Sequence, residues 1–277
     1  MKWALSFAVT AALLVLLVRY IEGRSIFFPM KDLTATPADI GLAYEEVTIA
    51  ASDGTKLYGW FVPRAGADDV VLFLHGNAGN VGHRLDKIRM LNGLGVATLI
   101  IDYRGYGRSE GRPSERGLYR DADAAYEHLV RTRGVPAGRI VVYGESLGGA
   151  VAVDLAARRT VRALITEGTF TSVPAMVRAS LPFVPSAALG SRFDSLSKIG
   201  RVAAPKLFIH SADDEIVPYA MGEILYGRAG EPKELMRLRG GHNTAFLDSA
   251  AVYITGLRRF VGGLRTPQDP ETGRPAA

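Results

Sequence analysis

The chain has 277 residues, 48% of them hydrophobic and 22% charged, with 33 Lys and Arg against 28 Asp and Glu. This is the composition of a globular chain of one large or two small domains, not of a disordered or fibrous one. The net charge of +5 is scattered, with no basic stripe interleaved with aromatics, which argues against nucleic acid as a partner; the absence of cysteine excludes disulfides, a thiolate nucleophile and cysteine-bound zinc.

The first element is MKWALSFAVTAALLVLLVRY, uncharged from Trp3 to Val18 and flanked by Lys2 and Arg19. Its length is near the lower limit of a membrane span, Trp3 and Tyr20 bracket it as interfacial aromatics do, and no small-x-small cleavage site follows. Residues 1–24 are therefore expected to form an uncleaved, single-pass membrane anchor, with the membrane as partner and location and its side left open. A linker over residues 25–42, a catalytic domain over 43–264 and a disordered tail over 265–277 complete the expected organisation.

AYEEVTIAAS and KLYGWFVP flank Asp53-Gly54, a strong hairpin signal, so the domain opens antiparallel. Short apolar strands then alternate with helical stretches: DVVLFLHG, a helix near Arg84 to Asn92, VATLIIDY, a helix from about Ser114 to Arg131, and RIVVYG. A helix through Val151 to Ala157, ALITEGTF, an irregular segment, KLFIHS, a helix from Tyr219, KELMRLRG and a last helix through Phe260 follow. Strands apolar on both faces suit a sheet buried between helical layers, so the predicted fold is α/β, with a mostly parallel eight-stranded sheet and helices on both faces. Residues 171–204 would form a short cap.

Two serines fit the G-x-S-x-G pattern of a nucleophile, in GRSEG (107–111) and GESLG (144–148). A nucleophile elbow needs a buried strand running straight into the turn and a helix starting at once after it. Ser109 lacks both, since the loop DYRGYG precedes it and Arg112-Pro113 follows. Ser146 has both, in RIVVYGESLGGAVA, where Gly144 and Gly148 allow strand and helix to approach. A serine needs a base, and among five histidines His242 is favoured because RGGHNTAF forms the loop between the last strand and the last helix. The orienting acid is expected in SADDEIVP, where Asp213, Asp214 and Glu215 are not separable by spacing. The order Ser, Asp, His along the chain is that of the α/β-hydrolases. Backbone N–H groups of Leu147 and of Asn77, in FLHGNAGN, are the expected oxyanion donors. Leu181, Phe183 and Val184, in LPFVP of the cap, suggest an apolar wall for substrate. HGNAGN is not followed by G-K-[ST], so it is not a phosphate loop.

FFP, LYGWFVP, LHGNAGNVGHRL, DYRGYGRSEGRPSERGLYRDA, YGESLGGAVA, FDSLSKI, HSADDEIVP and GGHNTAF together resemble the α/β-hydrolase superfamily, and within it a membrane-anchored, bud-emergence-type branch whose relatives include acyl-protein thioesterases. The resemblance covers nearly the whole chain to about Phe260. It implies that the first acid of DEIVP, Asp214, is the triad acid. Glu145 and Ser211 depart from the branch's usual residues. The expected function is a membrane-anchored serine hydrolase that cleaves carboxylic esters or thioesters, with an apolar acyl group, through Ser146, His242 and Asp214, with no metal or organic cofactor. The alternatives are a serine peptidase of the same fold and a catalytically idle tethered scaffold.

Overall fold

The computed structural model describes residues 2–181 and 189–264. The chain begins with helix α1 (Lys2–Ile26) and a short strand β1 (Phe28–Pro29), then the hairpin β2 (Glu45–Ala50) and β3 (Lys56–Val62). Next come β4 (Val70–Leu74), the two-residue β5 (Ala78–Gly79), α2 (Leu85–Gly93), β6 (Ala97–Ile101) and α3 (Glu115–Glu127). They are followed by β7 (Ile140–Glu145), α4 (Leu147–Ala156), β8 (Ala163–Glu167), α5 (Val173–Ser180) and α6 (Leu196–Ile199). β9 (Lys206–Ser211), α7 (Tyr219–Arg228), β10 (Lys233–Leu238), α8 (Ala245–Asp248) and α9 (Ala250–Gly263) complete the described elements.

Eight strands form one sheet in the order β10-β9-β8-β7-β4-β6-β3-β2, and β1 pairs with β5 in a separate ladder. The β2–β3 hairpin and the β3–β6 pair are antiparallel, and the other neighbours are parallel. The hairpin turns at Gly54, whose φ of 85° lies in the left-handed region that glycine adopts without strain. Parallel strands covered on both sides must be apolar on both sides, and every residue of β4, β6 and β8 is buried. Alternation along β4 sends Leu72 and Leu74 to the face packed by α3, α4 and α7, and Val71 and Phe73 to the face packed by α2 and α9.

The N-terminal run requires a correction. It is helical, but among the described residues no helix is long and apolar enough to cross a membrane. The expected membrane anchor, and with it the membrane as partner and location, therefore gives way. The physical reason lies in the last turns of α1, which carry Arg19, Glu22 and Arg24 and dock on the catalytic body. There Glu22, 8% exposed, accepts hydrogen bonds from the backbone N–H groups of Gly190 and Ser191 at 2.6 Å each. Nearer the start of the helix Trp3, Val9, Leu13, Leu16 and Leu17 are exposed.

Strand β7 lies between β4 and β8 and delivers the chain to Ser146, at the head of α4. The helix presses unusually close to the sheet. A Cβ on Gly148 would stand 2.0 Å from the Leu74 carbonyl oxygen, and one on Gly144 2.3 Å from that of Gly148. Because backbone and not a movable side chain is in the way, Gly148→Ala is expected to lower stability by about 1–3 kcal/mol or more, read by urea denaturation. An unchanged midpoint would show that α4 can shift away at no cost.

Candidate active site

Ser146 has φ 52° and ψ −116°, a conformation strained for a residue with a side chain. Its N–H donates to the Glu167 carbonyl at 2.7 Å, which ties the turn to the end of β8. The strained turn lifts the hydroxyl out of the sheet. The Ser146 hydroxyl donates to His242 Nε2 at 3.1 Å, and His242 Nδ1–H donates to Asp214 Oδ2 at 2.7 Å. Gly168, at φ 54°, leaves the imidazole room: a Cβ there would sit 2.9 Å from His242 Cε1.

Three consecutive acids after β9 have three different tasks. Asp213 accepts from Arg239 Nη1 at 2.8 Å and from the Gly240 N–H at 3.2 Å. Asp214 alone reaches the imidazole, and its other oxygen accepts the N–H groups of Ile216 and Val217 at 2.9 and 2.7 Å. Glu215 accepts the backbone N–H of His242 at 2.9 Å and so fixes the loop that carries the ring. Burial pushes the Asp214 carboxyl upward, but hydrogen bonds from His210, His242 and Val217 outweigh it and hold its pKa well below the usual carboxylate range. His210, buried at the end of β9, donates Nε2–H to the Val217 carbonyl at 2.9 Å and lies 3.3 Å from Asp214 Oδ2. It steadies the acid from behind, a task its sequence position does not reveal.

The other polar residues singled out from the sequence have structural surroundings. The Ser109 hydroxyl donates to the Asp102 carbonyl at 2.6 Å and accepts the Tyr58 N–H at 2.8 Å, stitching its loop to β3. His75 donates Nδ1–H to the Gly76 carbonyl at 2.7 Å, and burial, with Arg84 nearby, holds its pKa down to about 3, so the ring stays neutral. Asn77 follows the end of β4: its carbonyl accepts from the Phe28 N–H at 2.9 Å and the Tyr106 hydroxyl at 2.7 Å, and its Nδ2 donates to the Ile26 carbonyl at 3.0 Å. Leu147 opens α4, where the first N–H groups have no partner within the helix. Leu181 is 47% exposed and lines the cavity described next; Phe183 and Val184 lie outside the described residues. No group of three or more acidic or histidine side chains among the described residues is arranged to hold a metal ion.

Ser146 opens into two hollows. The larger, about 620 Å³, is mostly apolar and is lined by Phe170, Val173, Met176 and Val177 and by Val18, Ile21 and Ile26 of α1. The smaller, about 260 Å³, includes the polar side chains of His83, Arg84, Glu145 and Asn243. Both reach Asn77, Ser146 and His242. The α1 residues of this wall escaped the sequence reading; the one signal was Glu22, an acid directly after a long apolar run.

The family model described as serine aminopeptidase, S33, matches residues 65–198. The chain is 36% identical over 246 residues to the α/β-hydrolase domain-containing protein WAV2 of Arabidopsis thaliana, covering 80% of this chain and 79% of that protein. The chain belongs to the α/β-hydrolase superfamily. It is also 35% identical to the protein bem46 of Schizosaccharomyces pombe, over 83% of this chain and 81% of that one. An esterase of Pyrococcus furiosus superposes with a TM-score of 0.73 over 87% of this chain and 98% of its own, at 20% identity, a likeness of fold. Its fold and its relatives are those of the serine hydrolases, an esterase- and lipase-like family. The superfamily resemblance read from the sequence holds; its narrowing to a membrane-anchored branch does not, since no described helix can span a membrane.

Beneath Ser146 lies a buried charge cluster. Lys87 Nζ donates to Glu167 at 2.8 Å and stands 3.5 Å from Glu145, while Arg84 Nε stands 3.6 Å from Glu145. Burial raises the Glu145 carboxyl, but Lys87 and Arg84 prevail and hold its pKa down to about 2. The unfolded chain thus takes up this proton at a higher pH than the native one does. The stabilisation is complete above the ordinary carboxylate range and fades as the pH falls toward 2. In urea denaturation, the stability deficit of Glu145→Gln is expected to be largest above pH 5 and to shrink below it. A deficit independent of pH would mean that Glu145 is not held ionised.

Proposed function

We propose that the protein cleaves carboxylic esters or thioesters through an acyl-enzyme on Ser146. The observation that carries this reading is the chain of hydrogen bonds from Ser146 through His242 to Asp214, opening onto a cavity of mainly apolar wall. His242 Nε2 takes the serine proton as Oγ attacks the carbonyl carbon, and Asp214 holds the tautomer and stabilises the imidazolium. The Asn77 and Leu147 N–H groups meet the oxyanion. The imidazolium then protonates the leaving alcohol or thiol, and a water deprotonated by His242 releases the acid. The acyl part lies in the larger hollow, and the smaller one receives the leaving group.

The aminopeptidase named by the matching family model would need a carboxylate free to meet an α-ammonium. Glu22 lines the larger cavity, but both its oxygens are engaged by backbone N–H groups, and Glu145, in the smaller hollow, is paired with Arg84 and Lys87. That favours the ester reading over a peptidase.

Ser146→Ala is expected to abolish labelling by a fluorophosphonate, and Ser109→Ala to retain it; label on the Ser146→Ala protein would sink the assignment. Asp214→Asn should lower kcat by about 10⁴-fold, since an amide favours the wrong imidazole tautomer. Asp213→Asn should act far more mildly, and the opposite ranking in steady-state kinetics would move the role to Asp213.

A further inference from the structure

The strongest unexplained feature is the place of α1 at the mouth of the catalytic cavity. Val18, Ile21, Glu22, Ser25 and Ile26 all line it, and their spacing of three and four residues is that of one helical face. This face is held at two points. Near its middle the buried Glu22 carboxylate accepts the N–H groups of Gly190 and Ser191, a charge-assisted pair of bonds between segments far apart in the chain. At its end Ile26 accepts from the Asn77 side chain, Phe28 donates to the Asn77 carbonyl, and Phe27 packs edge-on against the buried Phe193 at 6.2 Å.

We propose that this face of α1 is the chain-length-determining wall of the acyl site, and that the ligand it takes is a medium-chain alkyl group. The inference rests on the esterase reading above and deepens it. Ile26 lies nearest the oxyanion residue Asn77, and Val18 is eight residues back along the helix. That distance is about 12 Å, the extended length of on the order of eight to ten carbons. Met176 and Val177 of α5 line the same cavity, so an alkyl chain leaving the Ser146 ester meets residues of both helices. Glu22 is a positioning residue: it keeps α1 against the cavity without touching the reacting atoms.

The test compares kcat/KM for 4-nitrophenyl acetate and 4-nitrophenyl octanoate in the full chain, in Ile21→Trp and in Glu22→Ala, with fluorophosphonate labelling as a separate check on Ser146. Ile21 is 53% exposed, so the larger ring threatens substrate and not folding. Each methylene that finds apolar wall is worth roughly fourfold, so the unaltered protein should prefer octanoate. Ile21→Trp, which fills the path, should lower the octanoate-to-acetate ratio by about tenfold or more, and Glu22→Ala, which frees the wall, should lower it in the same direction. A general loss of activity from poor folding would scale both esters and leave the ratio in place. Ratios within about twofold of the unaltered protein in both variants would overturn the inference while labelling and ester cleavage still support the hydrolase reading. An unaltered protein that neither takes the label nor cleaves either ester defeats the hydrolase reading, and the acyl wall falls with it.

Discussion

The backbone of Ser146 is the constraint around which the rest is arranged. A side-chain-bearing residue at φ 52° is strained by about 1–3 kcal/mol and persists only where its surroundings leave no alternative. Here the surroundings are covalently close and rigid. β7 runs between two parallel neighbours, the Ser146 N–H is fixed to the end of β8, and α4 is drawn so near the sheet that Gly144 and Gly148 tolerate no Cβ. The same contacts that impose the strain set Ser146 at the N-terminus of α4, the end of a helix that favours negative charge.

Electrostatics around this turn are divided by depth. Below it, Lys87 and Arg84 neutralise Glu145 and Glu167 within the buried body, and the Tyr143 and Tyr253 hydroxyls complete the shell of Glu167. A charge left without its partner at such depth would be strongly destabilising, so the cluster makes the elbow costly to distort. Above it, Asp214 is kept ionised by donors on several sides. His75 lies beside both regions yet stays neutral, held by burial and Arg84.

Local chemistry was legible in the sequence, and long-range docking was not. The hairpin follows from Asp53-Gly54, the buried strands from apolar runs, and the turn at Ser146 from a strand and a helix with no residue to spare between them. Choosing among Asp213, Asp214 and Glu215 took more than spacing, because all three occupy one short turn and differ only in which distant loop atom each meets: Arg239, His242 or the His242 backbone. The N-terminal run misled for the same reason. Its uncharged stretch from Trp3 to Val18 suggests a span, but no described helix is long and apolar enough for one, and the partners of Glu22 stand 168 residues away, where a local reading carries no record of them.

The position of Asn77 binds two distant parts of the molecule into one equilibrium. Its main-chain N–H is the donor proposed for the oxyanion, while its carbonyl and side chain hold Phe28 and Ile26, where the first helix ends. By reciprocity of linkage, whatever tightens the peptide on one side tightens it on the other. On the proposed mechanism, an acyl group seated on the serine would slow hydrogen exchange of the amides around residues 26–30, and clipping or fusing the N-terminal segment would be felt as a change in turnover.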